Sequence, residues 1–126
     1  MGIVKTNIKL SNPRYPDLDS IEVESLVDTG ALHLCITETQ FIQLKLEEAE
    51  KRPVTLADGS VHIIPYVGPI KVDWNGRISY TGAMVLGNQC LLGAIPMEDM
   101  DILVHPAKQV VIANPLHPNI PASVAY

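Results

Sequence analysis

A chain of 126 residues is sized for one domain and leaves little room for two. With 47% hydrophobic and 18% charged residues it can bury roughly two-thirds of its unfolded surface, which excludes wholesale disorder. Nine basic residues against fourteen acidic ones give a net charge of −5, and no basic cluster exceeds Lys51-Arg52, so nucleic acid is not an expected partner.

The dominant hydrophobic period is two. Val4, Thr6, Ile8 and Leu10 form a more apolar face than Lys5, Asn7 and Lys9, and Ile21, Val23 and Ser25 do the same against Glu22 and Glu24. Both segments are predicted to be half-buried strands. Between them Asn12–Asp17 holds Pro13 and Pro16, which remove ladder donors and end the first strand. Leu32–Ile36 is apolar enough for an interior strand. Thr37 with Gln40 three positions on offers a capping box, which predicts a short helix over Glu38–Leu46.

Beyond Pro53 the hairpin grammar returns. Val54–Ala57 and Ser60–Ile64 flank Asp58-Gly59, a tight-turn signal. A second hairpin leads from Ile70, Val72 and Trp74 through Asn75-Gly76, which tolerates two positive φ angles, to Ile78, Tyr80 and Gly82. After Gly87-Asn88 comes Cys90-Leu91-Leu92-Gly93, then a brief helix marked by Pro96, Glu98 and Asp99. Ile102–Val104 and Gln109–Ile112 are expected to close the sheet. From Asn114 on, Pro115, Pro118 and Pro121 mark a tail. The expectation is an all-β sandwich or barrel with one or two short helices, a domain over 1–113 and a proline-rich tail over 114–126.

The uncharged stretches Ile78–Met97 and Gln109–Tyr126 are broken by glycine, asparagine or proline, so no membrane partner is expected. Met1–Leu10 carries Lys5 and Lys9 without an apolar core, which makes a cytoplasmic location the expectation. In that setting Cys35 and Cys90 are two buried free thiols. A dimer could gather two His33–Cys35 pairs around zinc, yet nothing else supplies ligand spacing, so no metal or other cofactor is expected. Trp74 is expected to pack or cover an edge. Asp99 and Asp101 read as solvated acids, while His62, His105 and His117 form no constellation.

Chemistry concentrates at Leu26-Val27-Asp28-Thr29-Gly30-Ala31, where a carboxylate follows directly on an apolar strand. Such a carboxylate is costly without partners. Gly30 lets the backbone turn its N–H groups toward Asp28, and the Thr29 hydroxyl can hydrogen-bond to a neighbouring element. The alternative reading of these residues is an ordinary strand-end turn.

Asp28-Thr29-Gly30-Ala31, then a hairpin, then Leu91-Leu92-Gly93 before a helix, resembles the motif order of retropepsin-like aspartic proteases over about Ile3–Ile112. The run from Leu91 to Val104 is most similar to the single-domain prokaryotic group. The resemblance implies a closed barrel and a homodimeric endopeptidase in which each chain supplies one Asp28, a water between the two carboxylates attacking the peptide bond. It further implies that Thr29 braces the two loops, Gly30 donates to the aspartate and Gly93 lets a strand pass close behind. Ala31 and the flap residues Leu56, Ala57, Asp58, Gly59 and Ser60 would contact an extended peptide or protein substrate. Leu32 and Ala94 stand where retroviral members carry a paired acid and arginine, so the dimer contacts should differ. The competing function is a catalytically silent dimer of the same fold that binds a peptide or partner protein.

Overall fold

The computed structural model describes residues 3–123; residues 1–2 of the expected domain and 124–126 of the expected tail lie outside the described residues. In chain order the elements are β1 (Lys5–Ser11), β2 (Ile21–Val27), β3 (Leu34–Ile36), α1 (Glu38–Gln43), β4 (Glu47–Thr55) and β5 (Val61–Trp74). They are followed by β6 (Arg77–Val85), β7 (Leu91–Leu92), α2 (Ala94–Met100), β8 (Ile102–His105) and β9 (Val110–Ala113).

Seven strands form one sheet in the order β1-β2-β7-β3-β6-β5-β4, and a further pairing of β1 with β5 turns it back on itself. Six strands thus make a ring, with β4 outside it as an edge. Alternation drives this closure: Ile8 and Leu10 point inward from β1 and meet Ile70 and Val72 of β5 in one core, while Lys5 and Lys9 stay exposed. Trp74 lies in that core and donates its Nε1–H to Thr6 Oγ1 at 2.8 Å. No helix among the described residues is long and apolar enough to cross a membrane.

Three elements depart from the sequence reading. The helix capped by the Thr37/Gln40 box stops at Gln43, short of Leu46, because Lys45 takes a left-handed φ of 52° and the Asn12 amide donates to the carbonyls of Leu44 and Lys45. β4 begins at Glu47 and runs through Pro53, which pairs with Ile63; an edge strand can spare the missing N–H. The last two strands do not close the main sheet: among the described residues β8 and β9 pair only with each other, while Ile102, Val104 and Val111 pack on the core.

Candidate active site

β2 and β7 run parallel, with Val27 beside Leu92, and the ladder continues one step past the strand as Asp28 N–H donates to the Leu92 carbonyl at 3.0 Å. Asp28 is therefore placed where the sheet ends, its backbone fixed and its side chain exposed. Gly30 N–H reaches back to Asp28 Oδ1 at 3.0 Å, and Ala31 N–H to the Asp28 carbonyl at 3.1 Å. The far side of the loop is stapled as well, since Ala94 and Ile95 N–H donate to the Ala31 and Leu32 carbonyls, both at 2.8 Å. α2 has no side-chain cap at Gly93, so the loop carbonyls satisfy the N–H groups a helix start leaves open.

Gly93 is required for this contact. A Cβ there would lie 2.8 Å from His33 N and nearer still to its carbonyl oxygen, so only glycine lets the two backbones touch. Beneath the loop, burial and then the charge of Asp28 push the Cys35 thiol up, and burial followed by Cys35 pushes Cys90 up to about 12. Both are free, buried and held as thiols, which suits packing rather than nucleophilic attack.

The β4–β5 hairpin stands on this region. Val54, Ile64 and Tyr66 pack with Cys35, Met84 and Leu91 in a second, smaller cluster, so the base of the hairpin rests on the strands that carry the loop. At the tip, Leu56 N–H donates to Ser60 O and Gly59 N–H to Leu56 O, and only Gly59 takes a positive φ, 84°. The turn is a three-residue loop ending in a left-handed glycine rather than a two-residue one. Asp58 accepts from Ser60 Oγ at 2.5 Å and Ser60 N at 2.9 Å, bonds that hold its carboxyl below the usual range. Ser60 Oγ also contacts His62 Nε2 at 3.0 Å.

Asp28, Thr29, Gly30 and Ala31 thus share one exposed or half-exposed loop, and Leu56, Ala57, Asp58, Gly59 and Ser60 share the hairpin tip. Among the described residues no hydrogen bond joins the two groups. Two side-chain clusters escaped the sequence reading. Arg52, Tyr66 and His33 stack between hairpin and loop. Asp101, expected to be solvated, is largely buried: it accepts from Asn114 Nδ2 and Ala122 N at 3.0 Å each and meets His117 Nδ1 at 2.6 Å. Buried Arg77 donates to the Met100, Asp101 and His117 carbonyls beside it. The cluster ties part of the tail to the body, and His117 belongs to it.

No family model matches the chain, and no curated protein does. Among solved structures it is similar to EIAV protease complexed with the inhibitor HBY-793, with a TM-score of 0.52 and 20% identity over 76% of this chain and 86% of that one. The fold is retropepsin-like.

Proposed function

We propose that the chain is an aspartic endopeptidase acting as a homodimer. The observation that carries this reading is Asp28 itself: exposed at the end of β2, its backbone fixed by Leu92 and its carboxylate held by Gly30 N–H, within a retropepsin-like fold. One Asp-Thr-Gly per chain calls for a second copy. Apolar surface beside the loop supports such a partner, since Leu32 is 63% exposed and Ile95, hydrogen-bonded to it, 41%. Ile3, 75% exposed, precedes Val4, whose carbonyl accepts from Val27 N–H one residue before Asp28.

Two carboxylates about 3 Å apart cannot both ionise readily, so the pair shares one proton. The charged member takes a proton from a water lodged between them, and that water attacks the peptide carbonyl. The protonated member hydrogen-bonds the carbonyl oxygen as charge builds. Thr29 would hold the two loops together, and the 56–60 tip would close over an extended peptide as a flap.

The test is incubation of purified protein with a diverse peptide library, with and without an aspartic-protease inhibitor, alongside sedimentation. Inhibitor-sensitive cleavage that rises faster than linearly with protein concentration supports the reading. A dimer that cleaves nothing supports the silent binding module, and full activity of a sedimenting monomer contradicts the shared dyad.

A further inference from the structure

One side-chain cluster joins the hairpin to the Asp28 loop. The Arg52 guanidinium of β4 lies 3.9 Å from the centre of the Tyr66 ring on β5. The same ring meets the His33 imidazole edge-on, their centres 5.7 Å apart and their planes at 65°. Its seat is the bare backbone of β6: a Cβ at Gly82 would lie 2.6 Å from Tyr66 Cε2 and nearer still to the hydroxyl end. His33 is pinned in turn against Gly93, whose neighbour Leu92 accepts from Asp28 N–H. A continuous line of contacts thus runs from the hairpin to the aspartate.

We propose that Arg52, Tyr66 and His33 are positioning residues, a latch that holds the 56–60 hairpin over the Asp28 loop and releases it when His33 gains a proton. The proposal rests on the peptidase reading only for its consequence, regulation of that site. A guanidinium over an aromatic face is attractive. An imidazolium at the edge of the same ring would add a second positive charge to a half-buried spot. Burial first, and then the charge of Arg52, hold His33 below the ordinary imidazole value. Other charged or titratable groups near the stack include Glu50, whose Oε1 is 2.5 Å from Arg52 Nε; Arg14, paired with Glu47, and Tyr80, which line one cleft with Tyr66 and Gly82; Cys35, held as a thiol; and Asp28, whose charge reaches Cys35.

The sign follows from linkage. Latched His33 binds a proton less readily than a free imidazole, so the latch is fully favoured above about pH 6.5 and loses ground as pH falls below it. Release toward acid frees the hairpin where an aspartate pair retains its shared proton. The hairpin has a histidine of its own, His62, which contacts Ser60 at the tip rather than the Arg52–Tyr66 stack. It serves as the control.

The experiment follows the His33 ring by NMR titration in the full chain, together with amide exchange at Leu56 and Gly59 corrected for intrinsic pH dependence. Arg52→Gln should raise the His33 midpoint. In the wild type, hairpin exchange should speed up several-fold as pH falls through the window. His33→Gln should flatten that response, Tyr66→Phe should keep it and His62→Gln should leave it intact. An unchanged His33 midpoint in Arg52→Gln, or a pH response that survives His33→Gln or vanishes in His62→Gln, overturns the latch. None of these readouts involves cleavage, so a chain inert toward peptides still decides the question.

Discussion

The two hairpins that share β5 each turn at a glycine preceded by Asp or Asn, one through three residues and the other through two, and they differ further in what surrounds them. At Asn75-Gly76 both central residues have positive φ, 47° and 88°, and Trp74 pairs directly with Arg77 across a two-residue turn. That hairpin is fixed at its ends: Trp74 is 9% exposed, Arg77 7%, and the guanidinium grips three main-chain carbonyls. At the other end of β5, the Asp58-Gly59 turn joins an edge strand to residues such as Val61 and Ile63, which are more than 60% exposed. Turn residues decide where a chain reverses, and burial on either side decides how much of the core the hairpin carries.

Truncation should separate the two most sharply. Trp74→Ala removes an indole from the core together with its bond to Thr6 and should cost about 3–5 kcal/mol in urea unfolding. Ile63→Ala at the exposed hairpin should stay within about 0.5 kcal/mol. Comparable losses would mean that the 56–60 hairpin is scaffold as well.

The glycines sharpen the contrast at smaller cost. Valine at either positive-φ site should cost about 1–3 kcal/mol in backbone strain, and among the described residues nothing lies within 4 Å of either position to add a clash. Gly59→Val should nevertheless slow peptide turnover far more than it lowers Tm, whereas Gly76→Val should lower Tm and leave turnover of the remaining folded protein near wild type. Melting and cleavage measured on the same two proteins decide this.

The smallest effect concerns acid. Hydrogen bonds from Ala122 N–H and then Asn114 hold the Asp101 carboxyl below its ordinary value near the foot of the fixed hairpin. Because its folded pKa is depressed, Asp101 stabilises the fold above the unfolded carboxyl value and loses that contribution as pH falls below it. Asp101→Asn should therefore flatten the acid limb of the Tm–pH curve, read by thermal melting at a series of pH values.

What could be read in advance was local. The alternation in β1, the Thr37/Gln40 box and the paired positive φ of Asn75-Gly76 depend on residues within a few positions of one another. So does the placement of Asp28 at a strand end with Gly30 turned back on it. The separation of β8 and β9 and the early start of β4 depend on partners chosen across the fold. The staple from Ala94 and Ile95 onto the Asp28 loop spans more than sixty residues and leaves no local mark except Gly93. Arg77 did leave one: alternation places it with Ser79 and Ala83 on the inward face of β6, where a charge must find partners. Tyr66 and Arg52 show no motif, and only the seat at Gly82 betrays the stack once the register is known.

The central claim is that Asp28 performs the chemistry, one copy from each chain. Asparagine keeps the size of the side chain and an oxygen for Gly30 N–H but abolishes the shared proton, and the dimer should persist because two crowded carboxylates no longer repel. The measurement is cleavage of one peptide by wild type and Asp28→Asn from roughly pH 3 to 8, a range that brackets known carboxylate dyads. The account predicts a bell-shaped wild-type profile and no cleavage by the variant at any pH. Undiminished cleavage by Asp28→Asn would contradict it.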